Sequence, residues 1–372
     1  MATGSPPQLR AMPEFHRHSL EAIARALGVS RMTVSRALRG NTAVADSTRK
    51  AVLEEAKRQG YRPNPLISAW MIRVRQGDQA ATKPSLAYIS PVPRNGPHST
   101  SANSYLKELR RGARQRAREL GFKLWEFYGV GSEMSWEEVA GRMTATGVAG
   151  MILAPRNFLV SDIQVELPWE RFCFVAIGFS LSHPAMHTIN DEQNHGTTAI
   201  LRRLQAAGYR RIGCMSWHHH EELHSHGRIA AFLAWQQEIP AAERIPILRV
   251  EEEPKDSARF HAQIRKWCAN HHPEVIVGHP TLKRHLHDSL KGLRSETLLP
   301  DYCGLGISPQ ELLYQTQYGI TEPCFQIGRA ATEMVAGLVY RHETGLPEHP
   351  VLIEVPGAHW NWKQHGPEGA RR

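Results

Sequence analysis

The sequence predicts an all-α module over residues 18–62, followed by a much larger α/β body over residues 84–365. Three observations predict this division. The first is charge: residues 1–80 hold 13 Lys+Arg against 6 Asp+Glu, whereas the other 292 residues hold 32 against 30. The second is a 3.6-residue apolar period early in the chain. The third is the alternation of short apolar runs with amphipathic stretches beyond Pro84. A basic segment attached to a near-neutral body points to a module that binds a polyanion.

In "SLEAIARALGVSRMTVSRALRG", Leu20, Ile23, Ala24 and Leu27 fall on one helical face. Ser19 stands at its start and Gly28 at its end, where a left-handed residue stops a helix at low cost. After a two-residue turn, Ser30 is placed to cap a second helix with Val34, Ala37 and Leu38 inward and Gly40 as its stop. Arg31, Met32, Ser35 and Arg36 then point away from the core. Two short helices on a tight glycine turn make a helix-turn-helix, whose second helix meets base edges in the major groove. A third helix is expected from Asp46 as cap to Gly60, with Val52, Leu53 and Ala56 buried.

These residues carry a specific resemblance. The marks "IA…GVS…TVSRAL" and "V…TR…V…A…GYRPN" resemble the DNA-binding domain of the LacI/GalR (lactose repressor type) family of bacterial regulators. The resemblance places Arg31, Met32 and Arg36 at base-reading positions. Arginine can pair with guanine O6 and N7, and methionine offers apolar contact such as to a thymine methyl. Ser30, Thr33 and Ser35 are placed for phosphates, which fix register. Residues 63–83, opening "PNPLISAWM", resemble the family's hinge helix and linker. Asn64 would cap it, and Leu66 and Trp70 share a face. The family wedges an apolar side chain into the minor groove here, kinking the duplex. Trp70 stands where leucine is usual, so it either intercalates or packs on the body.

In the body, "SLAYISP", "KLWEFYG", "GMILAP", "CFVAIG", "RIGCMSW", "ILRVEE", "EVIVGHP" and "YCGLGIS" read as buried parallel strands. Helices are expected near 104–120, 135–146, 192–207, 227–238, 256–271, 281–292 and 326–342. This alternation argues for a doubly wound fold. The length suits a two-lobed periplasmic-binding-protein-like effector domain, with crossings near 178–190, near 305–320 and at "VLIEVP". The family resemblance continues through "INDEQNHGTTAILRRLQAAGYRRIGCM", "HGRIAAF" and "GITEPCFQIGRAATEMVAGLV". It implies effector contacts from Asp191 and Arg228, with Ser308 where the family places an aspartate. Arg228 can clamp a hydroxyl pair or an anion; the two residues can equally form a structural ion pair.

"SWHHHEELHSHGR" packs five histidines before Arg228. Three readings stand for it: a metal site, a pH-dependent loop, or a polar cleft rim. No nucleophile elbow, phosphate loop or metalloprotease signature is present, so no enzyme, cofactor or metal is expected. Five widely spaced cysteines read as reduced core thiols. With no secretory h-region and no run of 18 apolar residues, the expected location is the cytoplasm. Residues 1–17 and 366–372 read as a disordered leader and tail. The expected partners are operator duplex DNA, a small-molecule effector and a second copy of the chain, since one helix-turn-helix reads half a site.

Overall fold

The structure is a computed structural model, and it describes residues 20–38, 44–59, 84–95, 103–155, 169–180, 184–218, 221, 224–251, 257–291, 299–308 and 318–362. The chain divides into two compact units, Met1–Gln79 and Ala80–Arg372.

The first unit contains α1 (Leu20–Leu27), α2 (Arg31–Ala37) and α3 (Asp46–Arg58). Ile23, Ala24, Val34, Ala37, Val44, Val52 and Ala56 form its core, with Leu27, Val29 and Leu38 packed against it. Gly28 closes α1 at φ 62°, as the turn required. The third helix differs from expectation at two points. Ala45, not Asp46, is the N-cap residue; Asp46 begins the helix and pairs with Arg49. Leu53 is 48% exposed. The buried positions are Val52, Glu55 and Ala56, and the Glu55 carboxylate is held by Arg58 and Gln59.

The second unit has two lobes, each a sheet of six strands among the described residues. Lobe 1 contains β1 (Ser85–Ile89), α4 (Ser104–Glu119), β2 (Lys123–Phe127), α5 (Trp136–Ala145), β3 (Val148–Leu153), β4 (Cys173–Ile177) and β5 (Thr188–Glu192). Lobe 2 contains α6 (Asn194–Ala206), β6 (Ile212–Trp217), α7 (Gly227–Gln237), β7 (Leu248–Val250), α8 (Ser257–His271), β8 (Val275–Gly278), α9 (Leu282–Leu290), β9 (Asp301–Ile307) and β10 (Tyr318–Thr321). The chain then returns to lobe 1 for α10 (Cys324–Arg341) and β11 (Leu352–Pro356), and ends in lobe 2 with β12 (His359–Trp360).

The strand orders are β11-β5-β4-β3-β1-β2 and β12-β10-β9-β8-β6-β7. Every pairing is parallel except β10 with β12. Successive side chains of a strand feed cores on opposite faces. Leu86 and Tyr88 join one core with α4 and α10, while Ala87 and Ile89 join another with α5. In lobe 2, Ile212 and Cys214 face α6 and α7, and Met215 and Trp217 face α8 and α9. The strands expected from apolar runs are all present.

The lobe crossings lie later than expected, at 192–194, 321–324 and 356–359. The last two run side by side: the Thr321 N–H donates to the Ala358 carbonyl at 2.8 Å, and the Ala358 N–H to Thr321 Oγ1 at 3.1 Å. Trp362 packs beneath lobe 2 against Tyr318, with Arg203 over its ring. Four of the five cysteines are buried and all are free thiols.

Candidate functional site

The first unit presents one face of α2. Ser30 begins the helix, its hydroxyl accepting the Thr33 N–H at 3.0 Å and lying 2.9 Å from Thr33 Oγ1. That cap fixes where the helix starts and therefore which side chains turn outward. Val34 and Ala37 are buried. Arg31 and Arg36 are exposed, and Met32 is 55% exposed. A large apolar side chain left in water between two arginines gains nothing from folding. It is suited to an apolar contact on a partner. The Ser30 and Thr33 hydroxyls bond each other, which engages one of their two protons and leaves the other for a phosphate. The side chain of Ser35 lies outside the described residues, as do the hinge residues Asn64, Leu66 and Trp70.

The second candidate site lies between the lobes of the second unit, where strand carboxyl ends meet as doubly wound sheets require of a ligand cleft. Asp191, near the end of β5, is 4% exposed, and Arg228, in the first turn of α7, is 5% exposed. The structure brings these two expected residues together, with Arg228 Nη2 3.5 Å from Asp191 Oδ2. Two further groups share the carboxylate. Gln193 Nε2 donates to Oδ2 at 3.0 Å, and His224 Nδ1 lies 3.5 Å from Oδ1. Burial alone raises a carboxyl pKa, but His224, Arg228 and Gln193 together outweigh it and hold Asp191 below its ordinary value.

Arg228 also faces Glu322, 3.9 Å away, a buried acid on the crossing between β10 and α10. Gly306, at φ 84°, lets both groups approach the end of β9: a methyl there would stand 2.6 Å from Arg228 Nη2 and 3.0 Å from Glu322 Oε1. Ser308 lies two residues farther on, half-buried. Tyr105 opens α4 nearby; burial, then the charges of Asp191, Cys324 and Glu322, push its hydroxyl pKa up and keep it a donor. His279, beyond β8, is pushed down to about 3 by burial, by Arg228 and by His224, and so stays neutral. Its Nδ1 lies 2.7 Å from Thr281 Oγ1, which accepts from Trp217 Nε1 at 2.9 Å.

Asn190 Oδ1, Asp191 Oδ1, Gln193 Oε1 and Glu221 Oε2 are buried without a hydrogen-bond partner among the described residues. Buried polar atoms in that state carry a penalty that a polar ligand relieves. The cavity that Asp191 and Gln193 border measures about 10 Å³, roughly one water. No group of three or more metal-ligating side chains occurs among the described residues. No helix there is long and apolar enough to cross a membrane.

Sequence reasoning did not find Glu322 or the inward role of His224. The signal for Glu322 was in the "TEP" that leads into α10, where an acid precedes a helix at a lobe crossing. His224 was visible only as one of five histidines.

Comparison with known proteins places these features. Residues 19–64 match the family described as "Bacterial regulatory proteins, lacI family". Over 46 residues the chain is 63% identical to the HTH-type transcriptional regulator RafR of Escherichia coli. That match takes in 12% of this chain and 14% of RafR. The second unit is related at the level of fold. The lac repressor dimer bound to operator and the anti-inducer ONPF is 17% identical, with a TM-score of 0.54, covering 92% of this chain and 97% of that one. A transcriptional regulator CelR–cellobiose complex is 18% identical with a TM-score of 0.53, covering 92% and 98%. A LacI family regulator from Enterococcus faecium with bound ribose is 15% identical with a TM-score of 0.50, covering 74% and 96%.

Proposed function

We propose that this chain, which belongs to the lacI family of bacterial regulatory proteins through its residues 19–64, is a sequence-specific transcriptional regulator controlled by a small-molecule effector. The observation that carries the reading is the outward face of α2, where Arg31, Met32 and Arg36 stand opposite the buried Val34 and Ala37. Arg31 and Arg36 supply paired donors to guanine and Met32 an apolar contact. Ser30, Thr33 and Ser35 serve the phosphate backbone through their hydroxyls, one proton of the Ser30–Thr33 pair being engaged in the cap. Asn64, Leu66 and Trp70 form the minor-groove hinge. A homodimer binds a pseudo-palindromic operator, one half-site per copy. Such a protein works in the cytoplasm, where its DNA lies.

The effector occupies the interlobe cleft, contacting Asp191, Arg228 and Ser308, with Glu322 as a further acid. Cellobiose and ribose in the solved relatives favour a sugar or related metabolite. Arg228 already faces two carboxylates, which favours a hydroxyl-bearing guest over an anionic one. An effector that binds one lobe arrangement better than the other shifts operator affinity by that difference.

Arg36→Ala tests the base-reading role. On the duplex that the wild-type chain binds best, the substitution is expected to cost about 1–3 kcal/mol, roughly 5- to 150-fold in Kd, and to relax preference at one base pair. Fluorescence anisotropy on single-base variants measures it. An equal loss on every sequence shows that Arg36 touches only phosphate.

A further inference from the structure

The turn leading into α7 holds two non-glycine residues side by side in the left-handed region, Ser225 at φ 51° and His226 at φ 58°. Neighbouring residues of that kind are costly and persist where the surroundings hold them. Here the N–H groups of His224 and His226 both donate to the Glu221 carbonyl, at 3.2 and 2.8 Å, and the Gly227 N–H donates to His224 at 3.2 Å. Glu221 is itself fixed by Ser216 Oγ, 2.9 Å from Oε1.

The consequence of this turn lies across the cleft. It delivers His224 and Arg228, both of lobe 2, to opposite oxygens of one lobe 1 carboxylate. His224 Nδ1 is 3.5 Å from Asp191 Oδ1, and Arg228 Nη2 is 3.5 Å from Oδ2. The side chains concerned are 13%, 6% and 5% exposed, so water screens them little. The same carboxylate borders the cavity between the lobes, where a guest would find it. Closure and ligand entry therefore compete for one group.

We propose that Asp191, His224 and Arg228 form a latch holding the two lobes together when no effector is bound, and that a proton on His224 tightens it. The proposal rests on reading this cleft as the effector site. It makes the response of the protein depend on pH as well as on ligand.

The charged and titratable groups around His224 among the described residues are consistent with this. Asp191, from β5, stands 3.5 Å from the His224 ring, and Arg228, from α7, faces the other oxygen of the same carboxylate, while Glu322 on the crossing faces Arg228 and Glu221 in the turn accepts from Ser216. His279 faces the cluster from the end of β8 and stays neutral near physiological pH, because its pKa is pushed down to about 3. Tyr105, on the lobe 1 side, keeps its proton. Imidazole is the side chain whose ordinary titration falls between about pH 5 and 8. Protonated, His224 adds Coulomb attraction to Asp191; neutral, it retains at most a hydrogen bond.

Interlobe spin-label distances test the latch without knowledge of the effector. Labels go on Glu137→Cys in α5 and Leu233→Cys in α7, both exposed, in a Cys268→Ser background that removes the one half-buried thiol. The full-length chain should show a shorter, narrower distance distribution at about pH 6 than at about pH 8. His224→Gln should give the wider distribution at both. Asp191→Asn should widen it further; should that variant fail to fold, His224→Gln decides alone. An identical distribution at the two pH values in the parent, or a pH response that survives His224→Gln, overturns the proposal. DNA binding measured on the same labelled chain separates failure of the latch from failure of the regulatory reading.

Discussion

Replacing Arg228 with alanine is expected to destabilise the two-lobed unit by about 3–5 kcal/mol, because it leaves buried acids without their cation. Asp191 and Glu322 face the guanidinium at 3.5 and 3.9 Å, and their side chains are 5% and 8% exposed. Removing one partner of a buried pair costs more than the pair contributes, since the remaining charge stays desolvated. Arg228→Lys should recover only part of the loss. A lysine ammonium is a compact point charge and cannot present donors to two carboxylates in the planar spread that a guanidinium allows. Arg228→Met combined with Asp191→Asn should be milder than Arg228→Ala, because it removes charge on both sides. Urea unfolding of the second unit's transition measures all three. Under proposed effector control, the same Arg228 variants lose the effector response. The helix-turn-helix should keep its DNA affinity, since its core residues Ile23, Val34 and Val52 belong to the other unit. A loss for Arg228→Ala below about 1 kcal/mol would mean that water reaches the cleft freely and that the ion pairs resemble surface ones.

Gly328→Ala is expected to show a second large effect, at a site with no ligand role. In lobe 1, α4 and α10 pack backbone against backbone. A methyl on Gly328 would overlap the Leu109 carbonyl oxygen, and one on Gly112 would overlap the Phe325 carbonyl oxygen. Thr332, fully buried beside this contact, has its hydroxyl 2.9 Å from the Gly328 carbonyl and 3.3 Å from that of Ala113. Backbone cannot rotate aside as a side chain can, so the helices must separate. The overpacking penalty, about 3 kcal/mol or more, exceeds the roughly 1 kcal/mol that alanine gains over glycine in helix propensity. Gly141→Ala in α5 is the matched control. It is also helical, but nothing lies within 4 Å of its added methyl, so stability should rise by about 0.5–1 kcal/mol. Opposite signs for the two substitutions in the same unfolding experiment are the expected outcome. Equal signs would show that helix propensity, not the α4–α10 contact, governs both.

The two fold classes were legible because they rest on strong local signals. Ser30 reads as a cap and Gly28 as a stop from sequence alone, and both act so. The apolar runs of the central strands, such as "SLAYI" and "VAGMIL", announce sheets covered on both faces. Three strands were not legible, for different physical reasons. β5 reads "TINDE", a polar stretch, because it buries Asn190 and Asp191, the latter bordering the interlobe cavity, in place of apolar side chains. β10 has four residues, one of them Gly319, and β12 has two, too few for a period. The crossings were placed early for the same reason: the first follows the polar β5, the second follows the short β10, and the third leads into the two-residue β12. Leu53 was assigned inward because leucine is usually core, whereas the partly charged α3 buries Glu55 in a hydrogen-bonded pair with Arg58. The candidate cleft was half legible. Asp191 and Arg228, expected from the family resemblance, come together in the structure, but Glu322 joins them from 94 residues beyond Arg228 in sequence, through a chain path that only the lobe topology defines.

The most direct test of the regulatory reading is selection of bound sequences from a random duplex pool by the full-length chain at physiological salt. Enrichment of a pseudo-palindrome is expected, with half-site positions whose preference weakens in Arg31→Ala, Met32→Ala or Arg36→Ala. Binding that is strongly salt-dependent but enriches no sequence would contradict it, showing that the basic N-terminal unit holds phosphates without reading bases.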